Sequence, residues 1–253
     1  MVILINEGPF EAPMAARATV AAEVSKFDLH CHSLFSGDGR VDIMTLARLA
    51  REKGMTGLCI TDHNDQKSRH AIAGMRGHES LQGFLLFSGL ECSTTVGHML
   101  GIGCRSEVKT RLPPDEQADA IRAAGGVPVV SHPFRRINGL GWQRVEELVA
   151  RKKLNAIEVF NARDPPGRHN RRSQELATKH DLGGTGGSDA HWGVEVANAY
   201  TVVPGRIERV DELLDAIEKR ATWGEGVRTS PSVLLRQGAK NVWLWAKRGF
   251  RPI

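Results

Sequence analysis

The sequence predicts an α/β fold in which repeated βα units surround a parallel sheet that forms a barrel or a barrel-like layer. Three observations predict it. Apolar runs of strand length alternate with stretches of helical periodicity along most of the chain. Seven such runs can be counted, enough for a barrel in a chain of 253 residues. Histidines, aspartates and glutamates collect at the ends of those runs, where βα loops begin and where α/β sheets hold their ligands.

KFDLH (26–30) is the first strand candidate, followed by a helix near 42–53 that Gly54 stops. GLCITDH (57–63) comes next, then a helix near 66–79 and the runs FLLFSGLECS (84–93) and GHMLGIG (97–103). Pro113-Pro114 open a helix over 114–124, and Gly125-Gly126 end it. VPVVSHP (127–133), a helix near 142–152, AIEVFNA (156–162), a helix near 168–180 and GGTGGSDAH (183–191) complete the alternation, with a further helix near 209–220. There is no low-complexity segment and no solenoid period. The expected organisation is an extension over 1–25, one barrel domain over 26–226, and a basic amphipathic C-terminal helix over 227–253 packed on or beside it.

Composition excludes the unusual classes. Apolar residues at 41% and charged residues at 25% describe an ordinary globular chain. The start, MVILINEGPFEAPMAARA, has a short apolar run and no basic region ahead of a longer one, so it reads as neither signal peptide nor membrane span, and the expected compartment is the cytoplasm. Cys31, Cys59, Cys92 and Cys104 form no CxxC pair, which argues against a thiolate zinc site or a disulfide framework and for reduced, buried thiols. The net charge of +5 is matched by the tail alone: Arg228, Arg236, Lys240, Lys247, Arg248 and Arg251 meet no acidic residue from 228 onward. With its interleaved tryptophans and leucines this tail reads as a helix docked on the body or as a surface for nucleic acid, phosphates or a membrane.

His30 and His32 carry the argument toward chemistry. At i and i+2 on a strand they face one side while Cys31 faces the other, so both imidazoles converge. The other strand ends deliver Ser36-Gly37-Asp38-Gly39, Thr61-Asp62-His63, Glu91, Gly97-His98, Ser131-His132-Pro133 and Ser188-Asp189-Ala190-His191. Burying that many imidazoles and carboxylates together without a cation would leave uncompensated charge. Imidazole and carboxylate without thiolate favour Mn, Fe or Zn, and so many histidines disfavour Mg and Ca. These donors are too many for one ion and suit two or three, with a carboxylate bridging a close pair.

DLHCHS, SGDG, ITDHN, GLECS, GHMLG, SHPF, EVFN and GSDAH, in this order over about 26–192, resemble the PHP (polymerase and histidinol phosphatase) superfamily of metal-dependent phosphoesterases. The resemblance implies a distorted seven-stranded (β/α) TIM-like barrel with a trinuclear metal centre at its carboxyl edge. It implies that His30, His32, Glu91 and Asp189 hold the first ion, that Glu91 bridges to a second held by His98 and His132, and that Asp38, His63 and His191 hold the third. Many family members place the aspartate five residues after the second histidine, whereas Asp38 is six after His32. Asp62 reads either as a residue orienting these ligands or as a strand-end hydrogen-bond acceptor.

The expected reaction is hydrolysis of a small phosphomonoester or short nucleotide phosphodiester by a metal-bridging hydroxide, with Glu91, Asp189 and His191 as the catalytic group. Phosphate needs fixed cations, and guanidinium forks suit its oxygens. Arg135, Arg136, Arg163, Arg168, Arg171 and Arg172 follow strand ends; Arg135 and Arg172 are the leading substrate contacts, with Asn161 as a polar wall residue. His70, His78, His169 and His180 read as helix or loop residues without a role. The competing reading is a non-catalytic or regulatory metal-bound module whose basic tail binds nucleic acid or membrane. Metal-assisted C–N hydrolysis is disfavoured, since no strand end carries the lysine that such amidohydrolases carbamylate.

Overall fold

Local signals start and stop the helices. Asp42 caps the first, its side chain accepting from the Thr45 N–H, and Ile43, Leu46, Ala47 and Ala50 recur at the spacing that makes one apolar stripe, all buried. Gly54, at φ +79°, turns the chain away after it. The computed structural model describes residues 23–164 and 167–238. In chain order the elements are β1 Val24–Asp28, α1 Ile43–Glu52, β2 Gly57–Ile60, α2 Lys67–Gly74, a 3₁₀ turn Glu79–Leu81, β3 Leu85–Ser88, β4 Leu90–Thr94, β5 Gly97–Ile102, α3 Pro114–Ala123, β6 Val127–Val130, α4 Trp142–Ala150, β7 Ala156–Asn161, α5 Arg168–Lys179, β8 Gly183–Gly187, β9 Ala199–Pro204, α6 Val210–Glu218 and β10 Trp223–Gly226. Residues 231–238 are helical. Residues 1–22 of the expected extension over 1–25, and the tail beyond 238, lie outside the described residues, while β1 begins at Val24 inside that expected extension.

The α/β alternation is present, but the strands do not close into a seven-stranded TIM-like barrel. They form two mixed five-stranded sheets, ordered β10-β9-β1-β2-β3 and β4-β5-β6-β7-β8. The run FLLFSGLECS, expected as one strand, divides at Gly89: β3 pairs parallel with β2, whereas β4 turns into an antiparallel hairpin with β5. A side chain at Gly89 would sit 2.3 Å from the Gly101 carbonyl oxygen, so only glycine lets the chain cross there from one sheet to the other. On the other side, β9 runs antiparallel to β1 and β10 antiparallel to β9, a ribbon that an all-parallel barrel has no place for. Among the described residues the sheets are linked by isolated bridges, Cys31 with Ala190 and His63 with Glu91. Thr201 and Thr222 add side-chain bonds, donating to the carbonyls of Gly186 and Gly184.

Apolar packing lies on both faces. Phe27, Leu29, Leu100, Ile102 and Val129 pack between the sheets with Leu213 and Ile217 of α6, while Ile121, Val145 and Leu176 seat α3, α4 and α5 outside the second sheet. The four cysteines are free and buried. Asp28 joins the carboxyl ends of β1 and β8: it accepts from the Ser188 N–H at 3.0 Å, the Ser188 hydroxyl at 2.6 Å and the Ala197 N–H at 2.9 Å. Burial pushes its carboxyl up to about 6 against the pull of those donors.

Candidate metal centre

The two sheets bring their polar strand ends to one place. His30 and His32 leave β1 on the same side, with ring centroids 5.2 Å apart. His30 directs Nδ1 at Glu158 on β7, 3.0 Å away, so that Nε2 faces the centre. There Oε2 of Glu91 lies 3.3 Å from His30 Nε2, 3.4 Å from His32 Nε2 and 3.1 Å from His63 Nδ1. Its other oxygen lies 2.9 Å from His98 Nδ1 and 3.0 Å from His132 Nε2. Asp189 Oδ1 is 3.4 Å from His32 Nε2, and Asp38 Oδ2 is 2.9 Å from His191 Nε2 and 3.4 Å from His63 Nε2.

Two strained backbone positions serve this site. His132 and Asp189 adopt φ of +29° and +52°, the left-handed region that residues with a Cβ avoid, and both deliver a side chain to the cluster. Gly187 precedes this turn because a Cβ there would stand 2.2 Å from the His30 Cβ. Asp62 accepts from the N–H and hydroxyl of Ser33, at 2.7 and 2.8 Å, and so anchors the loop that follows His32.

The donors form four overlapping groups whose atoms lie within 4.8 Å of one another: His32, Asp38, His63 and His191; His30, His32 and Glu91; His30, His132 and Asp189; His63, Glu91 and His98. Relative to the set implied by the family resemblance, His132 groups with Asp189 and His30, and His32 also reaches the Asp38 group. Electrostatics alone leaves the cluster unresolved. Burial opposes ionisation of Glu91, yet the His30 and His63 charges and the His132 contact hold it well below the usual carboxylate range. Burial likewise opposes protonation of His30, but Glu91, Glu158 and Asp189 push it well up. His32 goes the other way, lowered to about 3 by burial and by the charges of His191 and His63.

These residues fit divalent ions. Nε2 of His30 and of His32 are buried with no hydrogen-bond partner, each at ion-pair distance from carboxylate oxygens but not aligned to donate to them. Buried lone pairs converging on shared carboxylate oxygens, with no thiolate, are what an imidazole–carboxylate metal site requires.

In front of the cluster lies a cavity of about 360 Å³, lined beyond the candidate ligands by Arg135, Asn138, Arg163 and Leu234. Arg135 reaches Asp189 Oδ2 at 2.9 Å. Asn161 is buried behind the cluster, donating to Glu158 Oε2 at 3.0 Å. Arg172 does not line the cavity; its guanidinium stacks 4.3 Å over the Phe134 ring. Arg163 had a legible signal, standing directly after a strand-end motif, whereas nothing local marks Asn138 or Leu234. His70, His78, His169 and His180 lie outside the lining.

The family model described as PHP-associated matches residues 167–222, which include Asp189 and His191. An uncharacterized protein of Methanocaldococcus jannaschii is 31% identical over 193 residues, covering 74% of this chain and 75% of that protein. The chain belongs to the PHP superfamily. Among solved structures, PsfC of Pseudomonas syringae superposes with a TM-score of 0.64 at 20% identity, over 88% of this chain and 99% of that one. A two-domain protein of Bacteroides vulgatus containing a predicted PHP-like metal-dependent phosphoesterase gives a TM-score of 0.60 at 19% identity, over 85% of this chain and 69% of that one. Both likenesses show a shared fold. Among the described residues of this PHP protein no helix is long and apolar enough to cross a membrane.

Proposed function

We propose that this protein is a metal-dependent phosphoric ester hydrolase acting on a small phosphomonoester or a short nucleotide phosphodiester. One observation carries the reading: the unpartnered, buried Nε2 atoms of His30 and His32 converge on Glu91 and Asp189 at the floor of a cavity whose walls carry Arg135 and Arg163. His30, His32, Asp38, His63, Glu91, His98, His132, Asp189 and His191 would hold two or three Mn, Fe or Zn ions. Such ions polarise phosphoryl oxygens and lower the pKa of water toward neutrality.

The chain's own groups divide the remaining work. Glu91, kept ionised, holds the imidazoles together. Glu158 accepts from His30 Nδ1 and thereby leaves Nε2 free for ligation. Arg135 and Arg163 bring guanidinium charge to the non-bridging oxygens, where negative charge develops in transfer. The Asp189–His191 pair borders the cavity, His191 Nδ1 standing 2.8 Å from the Asp189 carbonyl, and is assigned to deliver a proton to the leaving oxygen. Elemental analysis of the purified protein, followed by phosphate-release screening with Mn, Fe and Zn against a panel of mono- and diesters, tests this. Bound transition metal together with turnover of at least one ester class is the expected result; metal-loaded protein inert toward the whole panel would overturn it.

A further inference from the structure

The C-terminal segment returns to the site. After β10, the Val227 N–H donates to Asn198 and the Thr229 N–H to the Ala162 carbonyl, at 2.6 and 2.8 Å, while Thr229 Oγ1 accepts from the Asn198 amide. Ser230 then begins the helix over 231–238: its carbonyl accepts from the N–H groups of Val233 and Leu234, and Pro231 follows it at the first helical position. Leu234 and Gln237, three apart, share one helix face. That face is turned to the cavity: Leu234 lines it, and Gln237, 3% exposed, accepts from Arg163 Nη2 at 3.2 Å. Leu235, on the other face, is 74% exposed.

Arg163 is consequently gripped from several sides. Its Nη1 lies 2.5 Å from His191 Nδ1, its Nε 3.7 Å from Glu195 Oε1, and its Nη2 on Gln237. Among the described residues lining the cavity, Leu234 is the one whose side chain carries no polar group. A leucine facing a ring of imidazoles, carboxylates and guanidiniums can neither ligate nor bind phosphate; what it supplies is shape and an apolar contact. The volume of about 360 Å³ is at the small end of the range for ligand sites, about 300–1,000 Å³, so the space beside a phosphoryl group on the cluster is narrow and Leu234 forms part of its edge.

We propose that the helix over 231–238 is the specificity wall of this site. Leu234 limits the size of the groups esterified to phosphorus and favours an apolar face on them, and Gln237 is a positioning residue that aims Arg163. A terminal phosphate ester with a compact aromatic or aliphatic group fits; a phosphodiester continuing as a polymer runs into the helix. This rests on the phosphoesterase reading, and the experiment separates the two. With the manganese-loaded full chain, 4-nitrophenyl phosphate and the 4-nitrophenyl ester of thymidine 5′-monophosphate are compared. Leu234→Ala should raise kcat/KM for the bulky diester relative to the compact monoester by about tenfold or more, the scale of a side-chain change in an apolar pocket, and Leu234→Trp should lower it for both. Gln237→Ala should raise KM at little changed kcat, and Gln237→Glu, which keeps the accepting oxygen, should restore it. Unchanged ratios, with intact folding by circular dichroism, would overturn the proposal. Leu234→Cys gives a readout independent of turnover, since the four native thiols are all buried. Manganese plus phenylphosphonate should slow maleimide labelling of the introduced thiol; labelling that proceeds equally with and without them would also overturn the wall. If the wild-type chain hydrolyses no ester yet protection is seen, the hydrolase reading fails and the wall stands.

Discussion

Replacing Glu158 by glutamine leaves its volume nearly unchanged and reverses a proton. Glu158 Oε1 faces His30 Nδ1 at 3.0 Å; Oε2 accepts from the His132 N–H at 2.7 Å and from the Asn161 amide at 3.0 Å. In Glu158→Gln the single oxygen is claimed by those two donors, so the new NH₂ group faces His30. A donor there requires Nδ1 to be the acceptor, which puts the imidazole proton on Nε2, the atom that must be bare to ligate. Substitutions of such outer partners cost about 10–100-fold in metal affinity, which is about 1.4–2.8 kcal/mol. Manganese titration by calorimetry reads the affinity, and ¹⁵N chemical shifts of the His30 ring read the tautomer. The expected result is weakened binding together with protonation moved from Nδ1 to Nε2. Glu158→Gln protein that binds manganese as tightly as the parent, with the His30 proton still on Nδ1, would refute the reasoning.

Asp28 gives a pH dependence of known sign. Its folded-state pKa of about 6 lies above the unfolded value of about 3.9, so between these the folded chain binds more protons and stability falls as pH rises through the window. The total is roughly 3 kcal/mol, fully felt above pH 6 and relieved below about pH 4; urea midpoints of metal-free protein against pH should show this slope, and Asp28→Asn should flatten it. Metal should act as a folding ligand: manganese at one hundred times its Kd should add about 2.7 kcal/mol, seen as a higher Tm that EDTA reverses. A Tm indifferent to both additions would mean the clustered donors do not take up the ion.

Much of the site was legible because its chemistry is local. His30 and His32 stand two apart just past β1, on either side of the bridge residue Cys31, and Glu91 precedes a buried cysteine on β4, so alternation turns these side chains away from packing, whereas Asp189 and His191 follow the glycine-rich β8 in a turn. The arginines were harder to read, since Arg163 and Arg172 both follow one strand end and the choice between cavity and Phe134 ring is tertiary. Leu234 could not be read at all as a cavity residue, because its neighbours across the cavity are distant in sequence. The closed barrel failed for a comparable reason: FLLFSGLECS has the apolar character of one strand, and only the contact between Gly89 and Gly101 shows that its halves serve different sheets. Of the ribbon that replaces closure, β9 carries the β-branched run TVV, but β10, WGEG, lacks the residues that mark strands.

The join between the two sheets runs through the cluster itself. His30, His32, Asp38 and His63 follow strands of one sheet, whereas Glu91, His98, His132, Asp189 and His191 belong to the other. Among the described residues, ladder pairing across this join amounts to single bridges at Cys31 and His63. Any ion ligated from both sides therefore acts as a rivet between halves that the backbone only tacks together, and amide exchange along β1 and β2 should slow in concert with β4 and β8 when that rivet is set.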